Sequence, residues 1–319
     1  MTSPRIGVVG GGIAGLVLAQ RLVANGVQPV IVDKAKRLGG RLSARPLLGE
    51  LVPTSVRTCR VGVHQSAALQ ELLGDAVEVG SAADGWCDVQ ITAAASARIA
   101  ELSQQFERYQ GLVTHLSQPS GGGVRLHLWG NDAGIDADVV VLTPPLPQTV
   151  QLFDRSGLTV PWPWRTAEYT QRLVLLGEGS LPAGDVPEER DGWAGLFVDR
   201  VDDSDNVRIA AYADNQVSSE LWDLDVTDAH GRLALRLHEV LPGLELSTAD
   251  VKRWRYANAV TTAEWDAGQP ISESLPIWIA GDGVGEPDGE LLGVHRAVTS
   301  ASQAAAGITH HIFPERQPN

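Results

Sequence analysis

Apolar residues open the chain in two short β-branched runs, 6–9 and 27–32, on either side of a segment whose apolar positions recur at helical spacing: Ile13, Leu16, Val17, Ala19, Leu22 and Val23. This pattern predicts strand, helix, strand, with Asn25-Gly26 ending the helix. Residues 49–64 read as a loop or irregular strand, 67–73 as a short helix closed by Gly74, and 91–109 as a helix through Ala94, Ala97, Ile99, Leu102 and Phe106. Runs at 112–116, 124–129 and 139–142 read as strands, separated by SGGG and NDAG turns. The prolines after Thr143 stop the last of these and start a helix. From about residue 155 the texture changes to tryptophan-rich strands, 173–176, 193–198 and 207–213, followed by helical stretches at 217–222 and 233–241. In 251–259, VKRWRYANA, a period of two puts Lys252, Trp254 and Tyr256 on one face and Arg253 and Arg255 on the other. A buried strand at 277–280 and a helix rich in small residues close the pattern. Strand-helix alternation first, and strands then helices in the middle, predict an α/β chain with a smaller α+β domain inserted into it.

Candidate chemistry sits at the ends of the predicted strands. Gly10, Gly12 and Gly15 follow the first strand at GxGxxG spacing, just where the first helix begins with Ile13 and Ala14. In that context the glycines allow a tight turn, a close approach of backbone to a pyrophosphate, and close packing of helix on strand. The helix N-terminus offers free N–H groups and about half a positive charge to phosphates. Asp33 ends the second strand, where a carboxylate accepts hydrogen bonds from an adenosine ribose. The pattern predicts a dinucleotide site.

Charge narrows the partners. The net charge of −14 is uneven: residues 1–150 carry 12 basic and 12 acidic side chains, residues 151–319 carry 13 and 27. The excess gathers in DVPEERDGW and DRVDDSDN, which read as solvated loops, and nucleic acid is excluded because phosphate binding needs clustered Lys and Arg. Cys59 and Cys87 lie far apart with no ligand spacing, so neither a disulfide framework nor a metal site is predicted. With no leader and no spanning stretch read, the expectation is a soluble cytoplasmic protein with a small-molecule substrate and no membrane contact.

Lys34 begins KAKRLGGRL, in which Gly39, Gly40, Arg41 and Leu42 form a loop able to bring backbone and a guanidinium fork to a pyrophosphate. GxGxxG, an acid, then RxGGR resembles the signature of the flavin-containing amine oxidase superfamily. WxGLFV at 193–198, VVLTPPLPQ at 140–148 and RWRYA at 253–257 are similar to its renalase-like branch. The resemblance implies FAD, a GR2-type Rossmann-like FAD-binding domain at 1–75, 92–150 and 270–319, and a substrate domain at 76–91 and 151–269. It implies Arg41 beside the diphosphate, Val113 near the adenine through its backbone, Gly281-Asp282 at the ribityl or diphosphate part, and Gly293 and Val294 at the start of a helix aimed at the flavin. Where the family carries a Gly-Ala-aromatic segment and a Val-Glu-Gly-Ala turn, this chain has Val52-Pro53-Thr54-Ser55 and Leu291-Leu292-Gly293-Val294. His295 and Arg296 follow that turn, as a proton donor and anion anchor or as exposed residues of a first helical turn; Trp254 either lines a cavity or packs in the core. His295 and Trp254 are the catalytic candidates.

The resemblance implies an FAD-dependent oxidoreductase that takes a hydride from a small amine or a dihydronicotinamide isomer and passes the electrons to oxygen. Two other readings stand beside it: a dinucleotide-binding scaffold without net redox chemistry, and an NAD(P)-dependent dehydrogenase, against which RLGGRL and the terminal Gly-Asp argue.

Overall fold

The computed structural model describes residues 4–314 except 48–49, 55–57, 93, 185, 187–189, 202–204, 273 and 286–292. Its elements run β1 Ile6–Val9, α1 Ile13–Ala24, β2 Pro29–Asp33, β3 Ala44–Leu47, β4 Glu50–Pro53, β5 Thr58–Gly62, α2 Val63–Leu73, β6 Val77–Val79, β7 Trp86–Ile91, α3 Ala95–Ser103 and β8 Glu107–Gln110. There follow β9 Val113–Ser117, β10 Val124–Leu128, β11 Asn131–Ala137, β12 Val139–Leu142, α4 Leu146–Ser156 and α5 Trp162–Arg165. The rest of the chain forms β13 Tyr169–Ser180, β14 Trp193–Arg200, β15 Asn206–Ala213, α6 Asn215–Leu221, α7 Val226–Val240, β16 Glu245–Ala259, β17 Ile277–Ile279 and α8 Val294–Ile312. The chain divides into two compact units, one from the described residues of 1–42, 57–168 and 259–319, the other from those of 43–56 and 169–258.

In the first unit a five-stranded sheet runs in the order β17-β12-β1-β2-β8, all pairs parallel. β1, β2 and β12 are apolar almost throughout and buried, as strands covered on both faces must be. One face carries α1 and α8, whose Leu16, Leu18, Leu22, Val298, Ala301, Ala304 and Ile308 join Ile6, Val8 and Ile31 in one core. The small residues of α8 allow the close approach: a Cβ on Gly307 would fall 1.9 Å from the carbonyl oxygen of Gly268. Two three-stranded antiparallel sheets, β11-β10-β9 and β5-β7-β6, complete the unit.

The second unit is an antiparallel sheet in the order β14-β15-β13-β16. One face packs on α6 and α7 through Leu173, Leu175, Val217, Leu221, Leu233 and Leu237; the other meets the β3–β4 hairpin through Val174, Leu176, Tyr212, Val52 and Trp254. Asp214 and Asp225 cap α6 and α7 with side-chain bonds to the first-turn N–H groups. The whole is mixed α/β.

Three expectations are corrected. Residues 91–109 do not form one helix: Ile91 closes β7, only Ala95–Ser103 is helical, and Glu107–Gln110 is the edge strand β8. The helical spacing of Ala97, Ile99 and Leu102 covers only about two turns, while β8 gains parallel pairing to β2 from Val30↔Glu107 to Asp33↔Gln110; an edge strand with one partner needs no apolar alternation. NDAG is the first half of β11, whose Asn131 pairs with Leu128 and whose Ile135 pairs with Leu126 of β10 across a register shift, not a turn between elements. In the division of the chain, residues 76–91 lie in the first unit because β7 pairs with β5 and β6. Residues 151–168 and 259–269 lie there as well, while 43–56 belong to the second unit.

Candidate functional site

The site is built at the carboxyl ends of the parallel strands of the first unit. Chain direction leaves β1 at Val9, and the turn to α1 is held from two sides. Gly10 N–H donates to the Val32 carbonyl at 2.8 Å, and the Thr143 hydroxyl, just past β12, reaches the carbonyls of Val9 and Gly10. Gly10 has φ +100°, and a Cβ there would meet Thr143 Oγ1 at 2.5 Å. A Cβ on Gly15 would lie 2.1 Å from the Gly10 carbonyl oxygen, so the first turn of α1 closes on the loop only with glycine there. A Cβ on Gly12 would meet no heavy atom within 4 Å. Gly12 caps α1 without a side-chain hydrogen bond, so the helix presents its first N–H groups and its positive end beside open space. Ile13 and Ala14 start that helix.

Asp33 is held with its carboxylate fixed in place. Its Oδ2 accepts the Gly11 N–H at 2.6 Å and its Oδ1 the Ala35 N–H at 2.6 Å. Each oxygen keeps a further acceptor site, as a carboxylate can accept about four bonds. Lys34 beside it is exposed. Arg108 on β8 donates to the carbonyls of Ala35 and Lys36, shaping the chain after Asp33. Gly111 N–H donates to the Asp33 carbonyl at 2.9 Å, which brings the start of β9, with the buried Val113, to the end of β2.

The glycine-arginine loop docks on this turn. Gly39 N–H donates to the Gly11 carbonyl at 2.7 Å, and a Cβ on Gly40 would come within 3.1 Å of Gly12 Cα. Gly40–Leu42 form a single 3₁₀ turn with Leu42 buried. From that turn Arg41 Nη1 donates to Asp282 Oδ2 at 2.6 Å. Asp282, only 1% exposed, also accepts the Ala259 N–H at 3.3 Å. Gly281, at the end of the β17 strand, is clasped by Ser300 of α8: its N–H donates to the Ser300 hydroxyl and its carbonyl accepts from it. Residues from three separate stretches, 10–15, 33–42 and 281–282, are therefore linked at one strand edge, and Ser300 of α8 joins them through Gly281.

Gly293 caps α8 at φ +82° with no side-chain bond, and Val294 is its first residue. His295 is neither a free base nor an exposed residue. Its Nδ1 accepts the Gly62 N–H at 3.2 Å, which places the proton of the neutral imidazole on Nε2, and its ring lies 5.0 Å from that of Trp86. Arg296 is buried. Both help line a cavity of about 600 Å³ with Trp265, Asp266, Val284 and Gly285. A larger cavity of about 710 Å³, on the β5-β7-β6 sheet, includes none of the cradle residues. Trp254, in the second unit, uses its indole N–H on the Thr54 carbonyl at 3.0 Å and carries Lys252 Nζ 5.1 Å above its ring; it packs against the hairpin. Of the two segments that depart from the family pattern, Ser55 and the pair Leu291-Leu292 lie outside the described residues.

Sequence reasoning did not single out Thr143, Arg108 or Ser300 as parts of this edge. Thr143 carried a signal, being the one polar residue between VVVL and the prolines. Ser300 looks like any small residue of a close-packed helix. Cys59 and Cys87 are free thiols. Among the described residues no group of His, Cys, Asp and Glu could hold a metal, and no helix is long and apolar enough to cross a membrane.

A family model described as an NAD(P)-binding Rossmann-like domain matches residues 8–76, the stretch from the first strand through α2. No curated protein matches the chain in sequence. Among solved structures the chain is similar to an Exiguobacterium protein assigned as a protoporphyrinogen oxidase, at 14% identity and TM-score 0.71, covering 98% of this chain and 100% of that one. It is similar to cyclohexylamine oxidase from Brevibacterium oxydans at 12% identity and TM-score 0.68, covering 99% and 100%. It is also similar to a Photorhabdus luminescens protein assigned as an FAD-containing monooxygenase, at 13% identity and TM-score 0.56, covering 99% and 91%. At these identities the likeness is one of fold.

Proposed function

We propose that the chain is an FAD-dependent oxidoreductase which takes a hydride from a small amine or dihydronicotinamide-type substrate and passes the electrons to oxygen, as the renalase-like branch implies. The observation that carries the reading is the meeting of the GxGxxG turn, the Gly39-Gly40-Arg41 loop and Gly281-Asp282 at one strand edge. A plain dinucleotide dehydrogenase needs the first of these and not the other two. The likeness to an amine oxidase fold and to a protein assigned as FAD-containing supports the same reading.

The residues suit the group. Open space in front of Gly12, with uncapped N–H groups behind it, fits a diphosphate; a carboxylate fixed by two backbone bonds suits a ribose diol; Arg41 supplies a guanidinium at the diphosphate. FAD, when bound, supplies the hydride acceptance that no side chain offers. The chain supplies position and field. Asp33 orients the adenosine end, with Val113 beside it, and Gly39, Gly40, Lys34 and Leu42 complete the loop around the diphosphate. Asp282 holds Arg41 in place, and Gly293 and Val294 present the positive end of α8, a nineteen-residue helix. In this reading His295 steadies the start of α8 through Gly62 and keeps its proton on Nε2, and the second unit, with Trp254, recognises the substrate. The test is turnover: anaerobic addition of dihydronicotinamide isomers or simple amines to the FAD-loaded protein bleaches the visible bands, and admitting air restores them with release of peroxide. Bands that stay unchanged with every donor remove the redox assignment.

A further inference from the structure

Asp282 is a buried carboxylate that accepts from one guanidinium and from one backbone N–H at long range. Arg41 is less deeply set than Asp282: the two side chains are 29% and 2% exposed. The arginine is therefore the more accessible member of an ion pair whose carboxylate is buried. The loop that carries it is pinned to the phosphate turn by the Gly39–Gly11 bond and the contact of Gly40 with Gly12. In the reading proposed above, a diphosphate seated in front of Gly12 draws on the same guanidinium that Asp282 holds.

We propose that Asp282 is a placeholder anion: it holds Arg41 in the cradle before the cofactor arrives and competes with the cofactor's diphosphate for the guanidinium, so that cofactor uptake is an exchange of one anion for another. This inference rests on the reading of the cradle as a dinucleotide site and goes beyond it by giving Asp282 an effect of opposite sign to a simple ligand-binding residue. No covalent step is involved. The physical reason is charge: with both side chains ionised the pair is neutral, and an incoming diphosphate feels the guanidinium only after working against the carboxylate behind it. Removing the negative charge while keeping the shape takes away the carboxylate that competes with the diphosphate.

The experiment uses the full chain stripped of bound nucleotide, with ADP as the probe, because ADP carries the adenosine and the diphosphate but no flavin. Asp282→Asn is expected to bind ADP about tenfold more tightly than the unaltered chain at low salt, with the gain shrinking as salt rises. In Arg41→Gln the same Asp282→Asn change is expected to give no gain. ADP affinity that is unchanged or weaker in Asp282→Asn, or a gain that persists without Arg41, overturns the proposal.

A second measurement needs no change at Asp282, in case Asp282→Asn fails to fold. The guanidinium resonance of Arg41, assigned by its loss in Arg41→Gln, shows hindered rotation without ligand and shifts on addition of ADP; a resonance indifferent to ADP overturns the exchange. The two readings fail separately. If FAD leaves the spectrum unperturbed while ADP behaves as described, the flavin reading falls and the exchange stands; if FAD binds while Asp282→Asn weakens ADP binding, only the exchange falls.

Discussion

Asp33, Arg41 and Asp282 show what a single residue's chemistry can and cannot announce. Asp33 was legible because a carboxylate at the end of a second strand has a standard use. The Arg41–Asp282 contact joins positions 241 apart, and no local pattern carries such a pair; only the resemblance pointed at both. Two other residues give predictions of their own. Burial, with Asp88 adding to it, pushes the Cys59 thiol up to about 11. At pH 8 its thiolate fraction is then roughly a hundredfold below that of an ordinary cysteine. Alkylation of Cys59, followed by mass spectrometry, is expected to be slow by about that factor in the folded chain and normal in urea; equal rates contradict the burial effect.

On the β9–β10 ladder, His115 and His127 stack with ring centroids 3.9 Å apart. Burial first, then His115 and Arg125, hold His127 below the ordinary imidazole range, with Asp136 opposing. The folded chain therefore takes up that proton less readily than the unfolded chain. Stability is full above the unfolded value, near 6.5, and declines as pH falls through it. His127 is only part-buried, so the slope is shallow. Urea unfolding at pH 7.5 and 5.5 should show a smaller pH difference in His127→Gln than in the unaltered chain. Equal differences contradict it.

At the scale of elements, the cradle was legible because its demands fall on the backbone, where only glycine satisfies them. The remainder was less so for a related reason: β8 and β11 are made by their partners rather than by their own composition. ERYQ has no apolar alternation yet pairs along its length with β2, and NDAG contains three turn-forming residues yet begins a strand that Leu128↔Asn131 and Leu126↔Ile135 tie to β10. The two helix-side glycines of the cradle separate fold from function. Gly15→Ala sets a methyl 2.1 Å from the Gly10 carbonyl oxygen and is expected to cost about 2 kcal/mol or more of stability. Gly12→Ala enters open space with a permitted φ of −74°; it is expected to cost about 1 kcal/mol or less while lowering dinucleotide affinity by tenfold or more, since the methyl stands where the diphosphate approaches. Calorimetric melting and nucleotide titration of the pair check this. Loss of binding with full stability in Gly15→Ala, or unaltered binding in Gly12→Ala, contradicts the assignment of roles.

At the scale of the molecule, the α/β class followed from the order of strand and helix patterns. The allocation of segments to units did not: 43–56 joins the second unit by packing Val52 against its sheet and by the Trp254–Thr54 bond, and 76–91 joins the first through ladders to β5 and within β6–β7. Arg41 and Asp282 form an ion pair in the cradle, so in the proposed reading cofactor capture depends on local geometry rather than on the net charge of the chain. The central claim is that the first unit holds FAD at this strand edge. Titrating FAD into the stripped protein and following its visible absorption tests it most directly. Shifted, resolved flavin bands saturating at one FAD per chain are expected, with affinity lowered at least tenfold in Arg41→Gln; a flavin spectrum identical to that of free FAD at every ratio overturns the FAD assignment.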